Sequence, residues 1–186
     1  MFQANTRVSA VGTPPAPGQP VAVELIQQYL TFVLSGEIFA IGILAIKEII
    51  EYTKLTGVPM TPEYVRGVMN LRGAVVPVLD LSVRFGKAGS PVTRRTSIVI
   101  IEISAGEERH DIGIVVDSVN AVLEIPASDI EPAPTFGSRS RTDFIQGMAN
   151  MSGKFVILLD VNQILAADEL LVLSEALDPV TGVENN

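Results

Sequence analysis

Residues 65–81 read VRGVMNLRGAVVPVLDL, and residues 145–161 read IQGMANMSGKFVILLDV. The two stretches align without a gap, Gly67 on Gly147, Asn70 on Asn150, Gly73 on Gly153 and Asp80 on Asp160. Self-similarity at a fixed spacing marks a duplicated structural unit. A weaker echo pairs Ile41-Gly42-Ile43-Leu44 with Ile112-Gly113-Ile114-Val115, and a second β-rich run follows each copy, Ile46–Glu51 and Val119–Glu124. The chain therefore reads as two copies of one small β-unit.

Outward from the repeat, Val and Ile dominate in short runs punctuated by Gly and Pro, the pattern of strands rather than helices. Strands are expected near Gln28–Leu34, Glu37–Ile43, Ile46–Glu51, Gly73–Asp80, Ser97–Ile103, Asp111–Val116, Val119–Glu124 and Lys154–Asp160. Their spacing, with turn signals between them, suggests small barrels or a sandwich. Thr61-Pro62-Glu63 reads as an N-cap, a proline at the first helical position and an acid in the first turn, which predicts one turn of helix. After Asp160 the run VNQILAADELLVLSEAL carries leucines at three- and four-residue intervals and predicts a C-terminal amphipathic helix broken near Ala166–Asp168. Residues 1–22, with Pro14, Pro15, Pro17 and Pro20, read as a flexible tail, and 178–186 as a disordered one, leaving 23–177 as the folded body.

The repeat also sorts residues by role. Positions identical in both copies are explained by what the copies share, the fold. Asn70-Leu71-Arg72-Gly73 and Asn150-Met151-Ser152-Gly153 both look like turns, with Asn first and Gly fourth. Asn70, Gly73, Asn150 and Gly153 are accordingly read as structural turn residues. Arg72 stands opposite Ser152, and a tight turn needs no guanidinium. It is either work specific to one copy or a solvated surface charge in a local salt bridge.

The composition narrows the chemistry. The 186 residues carry a net charge of -8, with a pI near 4.6, no cysteine and a single histidine. Disulfides, thiolate metal sites and cysteine nucleophiles are excluded, and a cysteine-free chain suits a reducing compartment. No metal site or cofactor is expected. The acidic balance gives no footprint for nucleic acid or anionic membranes, and the basic spots Arg94-Arg95 and Ser138–Arg141 lack accompanying aromatics. MFQANTRVSA does not read as a secretory signal, and no stretch approaches the ~18 apolar residues of a spanning segment, so a soluble cytoplasmic protein is expected. The duplicated Asp80 and Asp160 invite comparison with a shared-proton dyad. Yet Leu81-Ser82 and Val161-Asn162 follow them where small residues and Gly would be needed, and each acid reads better as a strand end that caps the next segment. His110, in the polar stretch Gly106–Asp111, reads as a loop histidine. What remains is a binding module, with a seam between two β-units able to take the apolar face of a helix.

The run GVMNLRGAVVPVLDL, preceded by IGILAIKEIIE and followed by IGIVVDSVNAVLEIPASDI and FIQGMANMSGKFVILLDVNQIL, resembles the CheW-type coupling proteins of bacterial chemotaxis, from about Gln28 to Leu177. The resemblance implies a mainly β fold of two interleaved, pseudo-symmetric five-stranded β-barrels with short helices. It also implies a non-catalytic adaptor that joins the cytoplasmic tip of a chemoreceptor to the regulatory domain of a CheA-type histidine kinase. Such a protein would be cytoplasmic and recruited to receptor arrays at the membrane. A motility or developmental receptor–kinase pathway is the alternative setting. By the same resemblance Arg72 matches an arginine implicated in receptor coupling, and Glu48 an acid thought to pair with it. Ile46 and Val119 are groove residues or core residues.

Overall fold

The computed structural model describes residues 24–134 and 143–177. The two tails expected at 1–22 and 178–186, and the basic stretch Ser138–Arg141, lie outside these residues. The β-branched runs form β1 (Ile26–Leu34), β2 (Glu37–Gly42), β3 (Ile46–Glu51), β4 (Val65–Leu71), β5 (Ala74–Asp80), β6 (Ser97–Ala105), β7 (Glu108–Val116), β8 (Ser118–Pro126), β9 (Ile130–Glu131), β10 (Ile145–Met151) and β11 (Lys154–Leu159). Helices are short: α1 (Leu81–Arg84) and α2 (Ala167–Leu177). The protein is mainly β.

The strands form two sheets, ordered β8-β1-β2-β11-β10-β9 and β3-β6-β7-β5-β4. All of the second sheet lies in the chain between β2 and β8 of the first. The duplication read from the sequence recurs bond for bond. Val65 faces Leu79 and Gly67 faces Val78, with a break in register between them; Ile145 faces Leu159 and Gly147 faces Leu158, with the same break. β5 then runs parallel to β7, as β11 does to β2.

Each sheet curls until its two ends are joined through the chain. β8 and β9 stand at opposite ends of the first sheet, yet only the 3-10 turn Ala127–Asp129 separates them. Counted as one bent strand, they leave five strands in that unit. In the second sheet the chain beyond β3 returns at Thr56, which exchanges backbone hydrogen bonds with Val68 at 3.0 and 2.8 Å, just as Glu131 pairs with Met148. The repeated glycines sit beneath these crossings. A Cβ on Gly67, whose φ is +144°, would lie 2.5 Å from the Thr56 carbonyl oxygen, and one on Gly147 would lie 2.8 Å from that of Glu131. No side chain fits under a backbone that close.

Curling gives each unit an interior and both units a shared wall. Tyr29, Ala40, Ile125, Ala149, Val156 and Leu158 fill the first interior; Val76, Val78, Ile98, Ile100 and Val115 fill the second. The largest cluster lies between the sheets and joins Leu30, Phe32 and Ile41 to Val99, Ile101 and Ile114, with Leu170 and Leu173 of α2. A run of stacked rings, Phe32, Phe39, Phe85 and Phe144, crosses this wall with centroid spacings of 6.3, 5.8 and 4.6 Å.

Three local expectations are corrected. Thr61-Pro62-Glu63 starts no helix: the Thr61 hydroxyl donates back to the Val58 carbonyl at 2.9 Å, and a single turn closed by the Val65 amide on the Pro62 carbonyl feeds β4. His110 is not in the loop. The β6–β7 hairpin turns at Gly106-Glu107, and His110 sits half-buried on β7 opposite Ile103. The C-terminal helix is interrupted, but earlier than Ala166–Asp168: a 3-10 turn at Val161–Gln163 ends three residues before α2, which already contains Ala167 and Asp168.

α2 is clamped from a distance. Arg84 forks onto Glu169 through two bonds of 2.7 Å, donates Nε to the Ile164 carbonyl, and lies over the Tyr64 ring, whose hydroxyl also reaches Glu169. Burial pushes the Glu169 carboxyl up, but the Ala166 amide, Arg84 and Tyr64 together hold it below its ordinary 4.5. A lowered carboxylate stabilises the fold above its unfolded value and loses that contribution as pH falls through its folded value. Urea midpoints of wild type and Glu169→Gln should therefore differ at neutral pH and converge on acidification below 4.5. The crossings give a second prediction. Gly67→Ala should cost about 3 kcal/mol or more in urea unfolding, against about 1–2 kcal/mol for Gly106→Ala, where the φ is also positive but the space is open.

Candidate protein-interaction site

The β4–β5 hairpin is a two-residue loop in which Arg72 and Gly73 have φ of 53° and 89°; at the β10–β11 hairpin Ser152 and Gly153 have 54° and 81°. Two successive positive φ values are the geometry whose twist matches paired strands. The tight turn therefore spans Leu71–Ala74, one residue later than the sequence pattern suggested. Asn70 stands before it, and its Oδ1 accepts from the Gly73 amide at 2.9 Å; Asn150 does the same for Gly153 at 3.0 Å. These four residues hold both turns.

Arg72 is a different matter. A non-glycine residue at positive φ costs about 1–2 kcal/mol, and Asn or Gly would serve the turn better. Its guanidinium Nη2 lies 3.1 Å from both carboxylate oxygens of Glu48, with 79% of the arginine side chain exposed and 30% of the glutamate's. Glu48 follows a break in the β3–β6 register: Ile46 faces Ile101 and Glu48 faces Ile100. In the first sheet Val119 faces Phe32 and Ala121 faces Thr31, across an equivalent break. The duplicated unit thus has Ser152 where this one has Arg72, and Ala121 where this one has Glu48. The ion pair belongs to one unit only, and the shared fold does not need it.

Ile46 and Val119 occupy matching positions, as the sequence suggested, and both are half-buried against the cluster between the sheets. The seam itself is filled by that cluster and is not an open groove. One open cleft lies beside the Arg72 turn: about 570 Å³, bounded by Gly73–Pro77, by Lys47, by the Glu102 and Arg109–Ile112 edges of β6 and β7, and by Leu170, Leu173 and Ser174 of α2. Val75 at its wall and Leu171 and Val172 nearby on α2 are exposed apolar residues. Its charges pair among themselves. Lys47 bonds Asp111 at 2.8 Å, which with Glu102 raises the lysine above its ordinary value, and Arg109 reaches Glu102 at 3.0 Å. Sequence reading missed this cluster, because its members come from three separate strands and carry no local signal.

The acids compared with a dyad do not meet. Asp80 and Asp160 end strands of different sheets, and each caps the segment after it, accepting from Ser82 N at 2.9 Å and Asn162 N at 3.0 Å. Among the described residues no group of three His, Asp or Glu is arranged to hold a metal ion, and no helix is long and apolar enough to cross a membrane.

Two curled β-sheets sharing one wall, with an exposed ion pair on one of them beside an apolar-edged cleft, define a two-sheet β-domain of the protein-interaction class. The family model for the CheW-like domain matches residues 28–169, and the chain belongs to that family. It is 33% identical to chemotaxis protein CheW of Klebsiella aerogenes over 147 residues, covering 79% of this chain and 86% of that one. With chemotaxis protein CheW of Bacillus subtilis it shares 33% over 140 residues, covering 75% and 86%. The crystal structure of scaffolding protein TtCheW from Thermoanaerobacter tengcongensis superposes with a TM-score of 0.68 at 28% identity, covering 80% of this chain and 93% of that one. The chain is a chemotaxis adaptor of the CheW type.

The geometry of the turn predicts how Arg72 weighs on the fold. Arg72→Asn should leave the urea midpoint unchanged or raise it, because Asn-Gly suits two positive φ values. Arg72→Glu should cost about 0.5 kcal/mol or less. A loss above about 1.5 kcal/mol in either variant would make the ion pair a structural strut.

Proposed function

We propose that this protein is a non-catalytic cytoplasmic adaptor that bridges the cytoplasmic tip of a methyl-accepting chemoreceptor to the regulatory domain of a CheA-type histidine kinase. Arg72 and Glu48 serve the receptor contact. The observation that carries this assignment is the asymmetry of the duplication: the turn geometry is the same in both units, but the exposed ion pair is present in only one of them. An arginine held by an acid is preorganised, and a charge beside an apolar surface fixes the register of an incoming helix. Ile46 and Val119, half-buried near the ends of β3 and β8, supply apolar contact to the same helix. The kinase's own CheW-like domain engages the ends of the barrels.

Co-sedimentation with receptor cytoplasmic fragments and a CheA kinase tests this reading. Wild type should enter the ternary complex and raise kinase activity. Arg72→Glu, which sets two acids side by side, should lower receptor affinity at least tenfold with the fold intact. The exchanged pair Arg72→Glu/Glu48→Arg reports whether receptor binding needs the pair or the guanidinium at position 72 itself. A wild-type protein that binds neither partner would overturn the adaptor assignment for these partners.

A further inference from the structure

Ahead of β6 the chain makes a tight turn, closed by the Thr96 amide on the Thr93 carbonyl at 3.2 Å, with Arg94 and Arg95 at its tip. Two threonines pin it. Thr93 Oγ1 accepts from the Arg95 amide at 3.2 Å, while the buried Thr96 hydroxyl accepts from the Thr93 amide at 2.7 Å and donates to the Pro91 carbonyl at 3.3 Å. The Ser97 hydroxyl donates to the Arg95 carbonyl at 3.3 Å, and the Tyr52 amide ties the Thr96 carbonyl to the chain beyond β3 at 3.2 Å. Arg95 is thus gripped at both its amide and its carbonyl, and both arginines are exposed on a fixed backbone.

Arg95 forms one wall of a pocket of about 300 Å³ with Ser97, Ser118, Val119 and Asn120. The pocket bridges the two sheets, since Ser97 opens β6 and Ser118 opens β8. Its polar groups are a guanidinium, two hydroxyls and a carboxamide, all able to donate. Asp117, next to Ser118 in the chain, directs Oδ2 to the Ser35 amide at 2.8 Å and keeps Oδ1 buried. Glu51, opposite Ser97 in the β3–β6 pairing, is exposed and outside the pocket wall. Among the described residues no carboxylate lines the pocket, and no ion pair holds Arg94 or Arg95.

The other unit builds the same place with different chemistry. Because Glu48 faces Ile100 as Ala121 faces Thr31, the register equates Arg94 and Arg95 with Leu25 and Ile26, and Ser97 with Gln28. Ile26 and Gln28, with Ala45 as the counterpart of Ser118, line a cleft of about 660 Å³ that continues over Ile43 and Leu44. Leu25, Ile26 and Leu44 are all exposed. The shared fold therefore accepts an apolar surface next to Ile46 and a cationic one next to Val119, and it requires neither.

We propose that the Arg95 pocket takes a carboxylate side chain of the receptor helix that seats on Val119, so that Arg95 selects receptors with an acid at that position. The inference rests on the receptor assignment above. A guanidinium offers a planar pair of donors that fits a carboxylate, Ser97, Ser118 and Asn120 supply further donors, and Val119 continues the pocket into the apolar contact. A chain of net charge -8 repels an acidic helix at long range, so a local cation decides where such a helix can land.

Titration of receptor cytoplasmic fragments at low and at physiological salt tests the pocket in the full-length protein. Arg95→Glu should bind at least tenfold more weakly than wild type at low salt, and Arg95→Gln should bind more weakly with a shallower salt dependence. Lys154→Gln, which removes an exposed cation from β11, should bind as wild type does. Urea midpoints should be the same in all four proteins. One acid-to-lysine change along the receptor helix should restore binding to Arg95→Glu and leave Arg72→Glu impaired. Wild-type affinity in Arg95→Glu, or a loss that no such change restores, would overturn the inference and leave the receptor assignment standing. A defect confined to kinase binding would give the pocket to the kinase and likewise overturn it. If wild type itself binds no receptor fragment, the receptor assignment has failed and the pocket's occupant falls with it.

Discussion

The fold depends on two places where one backbone passes directly over another. The Thr56 carbonyl crosses at Gly67 and the Glu131 carbonyl crosses at Gly147, each too close for a side chain. A sheet this small can enclose a core only if its ends come together, and the crossing is where the returning strand finds its partner. Once it is made, alternate residues along each strand divide between an interior and an outer face. The interiors are modest. The outer faces of β1, β2, β6 and β7 then pack on one another, so the wall between the units becomes the largest hydrophobic cluster in the molecule. Neither unit completes its burial alone.

Duplication gives the structure an internal control. Asn70 and Asn150, Gly73 and Gly153, and the register breaks beside Gly67 and Gly147 do the same work twice, and they are explained by the shared fold. Differences then point to tasks of one unit. Arg72 with Glu48 faces Ser152 with Ala121. That difference lies where the chain is reached from outside, while the turn and crossing residues stay matched.

The sequence carried the duplication because the turn and crossing residues must be the same in both copies. It also carried the strands rich in Val and Ile, down to the limits of β3. β4 and β10 escaped it, since Gly67 and Gly147 interrupt their apolar pattern for the sake of a crossing that only the folded chain reveals. The echo between residues 41–44 and 112–115 was set two residues off: in the parallel pairings Ile41 faces Leu159, and its counterpart facing Leu79 is Ile114. Alternation repeats every two residues, so pattern alone cannot distinguish such a slip. The Thr61-Pro62-Glu63 signal was a sound cap in the wrong setting, overridden by the need to turn straight into β4. The clamp of Arg84 on Glu169 and the cluster around Lys47 join residues far apart in sequence, beyond the reach of any local pattern.

Energetics separate what holds the fold from what is left for partners. Asp80, enclosed and bonded by the Ser82 and Ser90 amides, and Glu169, forked by Arg84, are groups whose loss leaves buried amides or a half-buried arginine short of a partner. The pair of Arg72 and Glu48 sits at the other extreme. An exposed ion pair contributes about 0–1 kcal/mol to folding, so little stability is lost when its charges are turned toward something else. The hairpin fixes the arginine backbone and Glu48 directs its guanidinium, which lowers the entropy that an incoming partner must offset. A residue that its turn does not need, held still by an acid that the fold does not need, has the properties that the proposed receptor contact calls for.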